Sequence, residues 1–269
     1  MEFLGSIYLM VDGHQPLTDS QWQVMQPLLP TQRKRRHSLR QLVDAMLYIC
    51  RTGCQWRNLP SCFPPWPAVY YYFARWRADG TFERLNQASN RADRLAQGRL
   101  PAPSLALVDA QSVKLAPRLG QQRGLDAHKR VNGRKRQVLC DTGGRIWRVV
   151  VHAANGHDSR GAQPLLPDRN QLLPAWASRL RSVLTDKAYQ GRFARQVQAL
   201  GWQHHVASRP PTAGRGFVPV AQRWVVERTF AWLNCFRRVV IDYERHPASH
   251  AAWLLVANLT MSLRRATST

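Results

Sequence analysis

Basic side chains outnumber acidic ones by 39 to 16, leaving a formal charge of +23 on 269 residues. This imbalance constrains the chain before any pattern in it is read. A compact chain so charged repels itself and is tolerated mainly where a polyanion neutralises it. Nucleic acid is the first such partner and an anionic membrane the second. The membrane is the weaker candidate, because the apolar stretches are short or broken by Arg and none approaches the ~20 residues that span a bilayer. The opening segment carries Glu2 where a secretory signal is basic, so a cytoplasmic protein is expected. A hydrophobic fraction of 44% supplies a core for one large domain or two ordinary ones. Cys50, Cys54 and Cys62, with His37 nearby, lack the spacing of a structural zinc site.

The N-terminal third reads as helices. Thr18 can cap DSQWQVMQPLL, and Ser38 can cap LRQLVDAMLYICRTG, whose apolar residues repeat at helical spacing before Gly53. Pro67 suits the first turn of AVYYYFARWRADG. Helix, loop, then an aromatic and basic helix is compatible with a helix-turn-helix DNA reader. In the last of these Val69, Phe73 and Trp76 should face inward, leaving Arg75, Arg77 and some of the tyrosines outside. From residue 104 strands alternate with helices. SLALVDAQSV is apolar until Asp109, RKRQVLCDT and RIWRVVVHAA flank a Gly143-Gly144 turn, and RSVLTDKAY is another short strand ending at an acid. A helical stretch through GAQPLLPDRNQLLPAWA, a strand WQHHVAS, a long helix VAQRWVVERTFAWLNCFRRVV and a last apolar helix complete the pattern. The expected class is α/β, a mixed sheet with flanking helices behind a small all-helical domain.

With only sixteen acids, each can be weighed. Asp141 suits the Gly-Gly turn, Asp158 can cap a helix, Asp44 reads as a helix surface or ion-pair residue, Asp93 falls with the polar loop, cap or exposed helix-face acids, and Asp242 and Glu244 lie among Arg residues near a helix end. Asp109, Asp186 and Glu227 differ, because each sits among apolar residues: LALVDAQ, SVLTDKAY and WVVERTFAW. A buried carboxylate needs a cation. That cation is either Arg223, Arg228 or Lys187, or a hard divalent metal, for which carboxylate oxygens are natural ligands. His152, His157, His204 and His205 read as strand or loop residues.

The segments VDAQSVK, NGRKRQVLCDTGG, VVVHAANGHDSRGA, VLTDKAYQG and RWVVERTFAWLNCFRRV resemble those of bacterial insertion-sequence DDE transposases of the insertion-sequence-five group, in the insertion-sequence-four-like superfamily. LTDSQWQVMQPLLP and TGCQWRNLP are similar to that group's helical domain, so the resemblance covers roughly residues 17 to 265. It implies a ribonuclease-H-like fold, a flexible N-terminus over 1–16, a helical DNA-binding domain over 17–98 and a catalytic domain over 104–265. Matched by motif, the catalytic and metal-binding triad is Asp109, Asp186 and Glu227. The family's extended motif of Tyr, Arg, Glu and Lys reads here as Val220, Arg223, Glu227 and Asn234.

The implied chemistry is two-metal phosphoryl transfer with two Mg²⁺ ions, for which Mn²⁺ substitutes. Water and then a DNA 3′-hydroxyl attacks in line. Arg223, Arg228, Lys187 and Arg192 lie near the acids and could hold the phosphate backbone of the transposon end. His128-Lys129-Arg130 through Arg134-Lys135-Arg136 would add nonspecific phosphate affinity. The implied partners are double-stranded DNA and a second copy of the chain, and the implied location is the bacterial nucleoid. A DNA-binding relic and a plain nuclease of the same fold are the rival readings.

Overall fold

A computed structural model describes residues 15–30, 34–207 and 223–267. Residues 1–14 of the expected flexible N-terminus and Val220 lie outside the described residues. Two units are present: Met1–Arg99 with Leu233–Val240 and Ala252–Thr269, and Leu100–Trp232 with Ile241–Ala251. The domain expected over 104–265 includes the last helix, most of which clusters with the N-terminal helices.

In the first unit, helix α1 (Asp19–Met25) starts at a capping box in which Thr18 accepts from the Gln21 amide. Helix α2 (Leu39–Thr52) buries Leu42, Ala45, Met46 and Ile49. It ends at Gly53, whose φ of +71° suits a residue without Cβ. Helix α3 (Trp66–Ala78) turns Val69, Phe73 and Trp76 inward, as its spacing predicts, and leaves Tyr70, Tyr71 and Arg75 exposed with Arg77 half-buried. Asp44, read as surface or ion-paired, is instead buried and accepts the Leu17 amide at 2.8 Å.

Helix α4 (Thr81–Ala96) pairs with part of the last helix, Pro247–Ala266, through a polar ladder. Asn258 Nδ2 donates to Asn86 Oδ1 at 2.6 Å and to Asn90 Oδ1 at 2.9 Å. Ser262 Oγ donates to Asn90 Oδ1 at 2.9 Å, and Arg265 Nε to Asp93 Oδ2 at 2.8 Å. The three residues of α4 stand at i, i+4 and i+7, and so do their partners, so one face of each helix meets the other in a single register. Asp93, expected on an exposed face, is buried because Arg265 neutralises it.

The second unit is built on strand β1 (Leu105–Lys114), short β2 (Gly124–Asp126), β3 (Val131–Asp141), β4 (Ile146–Ala153), β5 (Ser182–Thr185) and β6 (Gln203–Val206). Strands β4, β3 and β1 are antiparallel neighbours, β1, β5 and β6 are parallel, and β2 adds to β3. This is the expected α/β mixed sheet with flanking helices, and the ribonuclease-H-like arrangement is present. The β3–β4 hairpin turns at Gly143-Gly144, where Asp141 Oδ1 accepts the Gly143 and Arg145 amides. Between β4 and β5 the expected long helix reduces to Asp158–Gly161 and a single tight turn, because Pro164, Pro167 and Pro174 interrupt it. The expected helix over 220–240 is described as two, α5 (Arg223–Leu233) and α6 (Arg237–Val240). Among the described residues no helix is long and apolar enough to cross a membrane.

One face of the sheet buries Ala106, Val108, Leu139 and Val183 under Trp176, Tyr189, Phe193 and Val197. The other carries Leu107, Asp109 and Gln111 of β1 beside Cys140, Val138 and Arg136 of β3, partnered pairwise in the ladder. The polar ladder yields a stability prediction. Asn258→Val should cost about 1–3 kcal/mol, since it removes the donor from two buried amide oxygens. Urea unfolding should show a lower midpoint with an unchanged slope, and an unchanged midpoint would refute it.

Candidate active site

The parallel pairing of β1 with β5 sets Leu107 beside Leu184. The same offset, carried two residues further, sets Asp109 level with Asp186 on the neighbouring strand's extension. Both carboxylates are half-buried, and they line one small cleft together with Leu107, Val108, Leu184, Thr185, Ala207 and Val226. Asp109 was expected at the end of a strand. It sits mid-strand instead, because β1 continues to Lys114 along its ladder with β3. Asp186 directly follows β5 and caps a tight turn, Lys187–Tyr189, its Oδ1 accepting from the Ala188 amide at 2.8 Å.

Helix α5 carries the third acid. Val225, Val226, Thr229 and Phe230 point inward, and Val226 forms a wall of the cleft. Glu227, one position on, faces outward and is exposed. Val225, Val226 and Phe230 take the buried side of the helix and Trp224 shares the exposed side, so burial of Glu227 is not found. Among the described residues, no three His, Cys, Asp or Glu side chains stand close enough together to hold a metal ion. The structure thus brings Asp109 and Asp186 together and leaves Glu227 exposed on α5, next in sequence to Val226 of the cleft. For a hard cation, the first two supply the right donor chemistry: adjacent carboxylates in a partly desolvated cleft.

The cations divide into two groups. Arg134, Lys135 and Arg136, expected in a DNA-contacting basic loop, lie within β3 and are buried. Arg134 Nη1 donates to Asp242 Oδ2 at 2.9 Å and to the Glu244 carbonyl at 2.8 Å, and its Nη2 donates to the Arg245 carbonyl at 2.7 Å. Asp242, read as a polar end residue, is therefore fully buried as the counter-charge of Arg134, with His250 Nδ1 at 3.4 Å. Arg136 Nε donates to Gln111 Oε1 at 2.9 Å, and the guanidinium lies 5.7 Å from the Phe230 ring. Burial lowers its pKa to about 10, so it stays charged at neutral pH. Lys135 Nζ meets Asp158 Oδ1 at 2.9 Å. A run of basic residues reads as surface in sequence, but alternation along a strand buried on both faces leaves no side for them to escape to.

Lys187 and Arg192, beside the second acid, are exposed, as are Arg160, His128, Lys129 and Arg130. Arg228 is half-buried between two indoles, 4.5 Å from the Trp224 ring and 4.3 Å from that of Trp232. Arg223 begins α5, and its side chain lies outside the described ones. His152 and His204 are strand residues, as read, and burial lowers both of their pKa values.

Two site residues were not singled out in the sequence. Tyr189 is fully buried, and its hydroxyl donates to Gln137 Oε1 at 2.6 Å. Burial raises the Tyr189 pKa well above the usual value, and the charges of Asp109, Asp158 and Asp186 push it the same way. The available signal was a Tyr three residues after Asp186 and a Gln between the basic run 134–136 and the apolar Val138-Leu139-Cys140.

Residues 17–86 match the family model "Putative transposase of IS4/5 family", and residues 100–262 match "Transposase DDE domain". A relative from Burkholderia cepacia, "Putative transposase for insertion sequence element IS402", is 33% identical over 126 residues. The match covers 45% of this chain and 59% of that protein, so the chain spans under two thirds of the relative's length.

The two groups of cations should respond differently to substitution. Arg134→Ala strands a buried Asp242 charge and should cost about 3–5 kcal/mol, while Lys187→Ala should stay within about 0.5 kcal/mol of wild type. Chemical denaturation of both variants checks this, and equal costs would refute the division.

Proposed function

The chain belongs to the transposase DDE-domain family, and from that membership we propose that it cuts DNA at the ends of a mobile element and joins the 3′-hydroxyl ends to target DNA. The observation that carries the reading is the pairing of Asp109 with Asp186 in one cleft at the mouth of a mixed sheet. Double-stranded DNA is the substrate, a second copy of the chain is the partner at paired ends, and the nucleoid is the place of action.

Asp109 and Asp186 would hold divalent metal, Mg²⁺ with Mn²⁺ as substitute, and Glu227 would complete the set by swinging its exposed side chain inward from α5. When bound, the two ions neutralise charge on the attacking and leaving oxygens of an in-line displacement. The chain's own residues do the rest. Leu107, Leu184 and Val226 line the cleft and exclude bulk water, which strengthens every charge interaction inside it. Lys187 and Arg192, exposed beside Asp186, hold backbone phosphates of the bound strand, with Arg160 nearby. Arg228 is held by its two indoles, so it acts as a fixed positive wall rather than a mobile phosphate hook. Arg75, on the exposed side of α3, and Arg77 serve as phosphate contacts of the helical unit.

The test uses the full chain, Mg²⁺, a supercoiled target and labelled DNA from the element's own ends. Label should join to the target and should be lost with Asp109→Asn. Cleavage without joining would mark a nuclease, and binding with neither reaction, in Mn²⁺ as well, would mark a DNA-binding relic. Salt supplies a second check. If several phosphates are neutralised, affinity should fall by about a thousandfold between low and moderate salt. A flat salt dependence would refute the electrostatic reading.

A further inference from the structure

The β1–β5 ladder pairs residues only as far as Leu107 with Leu184, and β5 itself ends at Thr185. Asp186 therefore sits beyond the reach of the main-chain bonds that would hold it level with Asp109. The far edge of β5 is secured by β6, through Thr185 beside Val206 and the Ala207 amide donating to the Thr185 carbonyl at 2.8 Å. Nothing in those bonds fixes the distance to β1.

The turn after Asp186 takes over. Tyr189 closes that turn and passes under the sheet, and its hydroxyl donates to Gln137 Oε1 at 2.6 Å. Gln137 is the ladder partner of Ala110, the residue after Asp109. It belongs to β3, the strand paired along both edges. Gln137 is itself braced, since its Nε2 lies 3.2 Å from Asp158 Oδ1 and 3.3 Å from His152 Nε2. Asp158 is in turn tied to Lys135 at 2.9 Å. On the other side of the turn, the Gln190 carbonyl accepts from Ser159 Oγ at 2.8 Å. The ring of Tyr189 packs edge-on to Phe193, 5.5 Å between centroids, and core packing accounts for the ring. It does not account for the hydroxyl, which a phenylalanine would do without and which is costly to bury unpaired.

We propose that Tyr189 is a positioning residue of the acidic pair: its hydroxyl, bonded to Gln137, holds the turn bearing Asp186 against β1 and so sets the affinity of the Asp109–Asp186 cleft for divalent metal. The inference rests on the metal reading of that cleft given above. It assigns Tyr189 no contact with DNA and no part in proton transfer.

The test measures Mn²⁺ binding to the full chain without DNA, by electron paramagnetic resonance titration, for the wild type, Tyr189→Phe, Gln137→Met, the double variant and Asp109→Asn. Loss of a residue that orients a metal ligand weakens metal binding by about 10- to 100-fold, and Tyr189→Phe should show a loss of that order. Its affinity for end DNA in the absence of metal should match the wild type. Because the hydroxyl acts through Gln137, the double variant should bind no more weakly than the weaker single one. If Tyr189→Phe fails to fold, Gln137→Met alone must show the loss. Unchanged Mn²⁺ affinity in a folded Tyr189→Phe, with binding lost in Asp109→Asn, overturns the positioning role and leaves the metal reading standing. Unchanged affinity in Asp109→Asn overturns the metal reading and this inference with it.

Discussion

The parallel register between β1 and β5 is the constraint on which the site depends. Two carboxylates in a partly apolar cleft repel each other, and neither would be placed there by its own energetics. They are brought level by hydrophobic side chains on either side of them. Ala106 and Val183, partners in the ladder, belong to the core on one face, and Leu107 and Leu184 line the cleft on the other. Since side chains alternate along a strand, a slip of one residue would send an acid to the wrong face. Burial of a few aliphatic groups thus sets the register that turns both acids to one face.

The scarcity of acids makes their allocation informative. Asp242 answers Arg134, Asp141 answers Arg145, Asp158 answers Lys135 and Asp93 answers Arg265. Each of these acids meets a cation inside the protein. Asp109 accepts from the Ala110 amide and Asp186 from the Ala188 amide. Internal neutralisation of Arg134, Lys135 and Arg136 also means that the formal charge overstates what the surface offers to a polyanion. Lys187, Arg192, Arg160 and the loop over 128–130 remain on the surface near the sheet.

Much of the architecture could be read from the chain itself. The helical spacing in α2, the inward residues of α3 and the Gly-Gly hairpin all follow from local rules, and the structure has them. The two aspartates stood out because a charge inside a short apolar run has few explanations. What local pattern could not supply was partnership at a distance. Arg134 and Asp242 are 108 residues apart, and Asn86 and Asn258 are 172 apart, so each looks like a surface residue until its partner is known. Glu227 erred in the opposite direction. Its neighbours Val225 and Val226 are buried, but at helical spacing they share a face that Glu227 does not. A tyrosine in a core follows from local pattern alone, whereas the hydroxyl of Tyr189 is explained only by Gln137, 52 residues away.

The order in which the two units are threaded bears on how such a chain comes into being. Each unit is closed by a piece from the final quarter of the sequence: Ile241–Ala251 for the sheet and Ala252–Thr269 for the helices. A polypeptide emerging from the ribosome can form the ladder of β1 and β3 early, but Arg134 then waits inside it for a counter-charge not yet synthesised. Asn86 and Asn90 wait in the same way for Asn258. A translation product that stops short leaves buried polar groups unanswered in both units at once, and a protease would meet it as an open chain. Because neither unit is one continuous segment, a cut between residues 99 and 100 would leave Leu233–Val240 and Ala252–Thr269 of the first unit on the piece that carries the second.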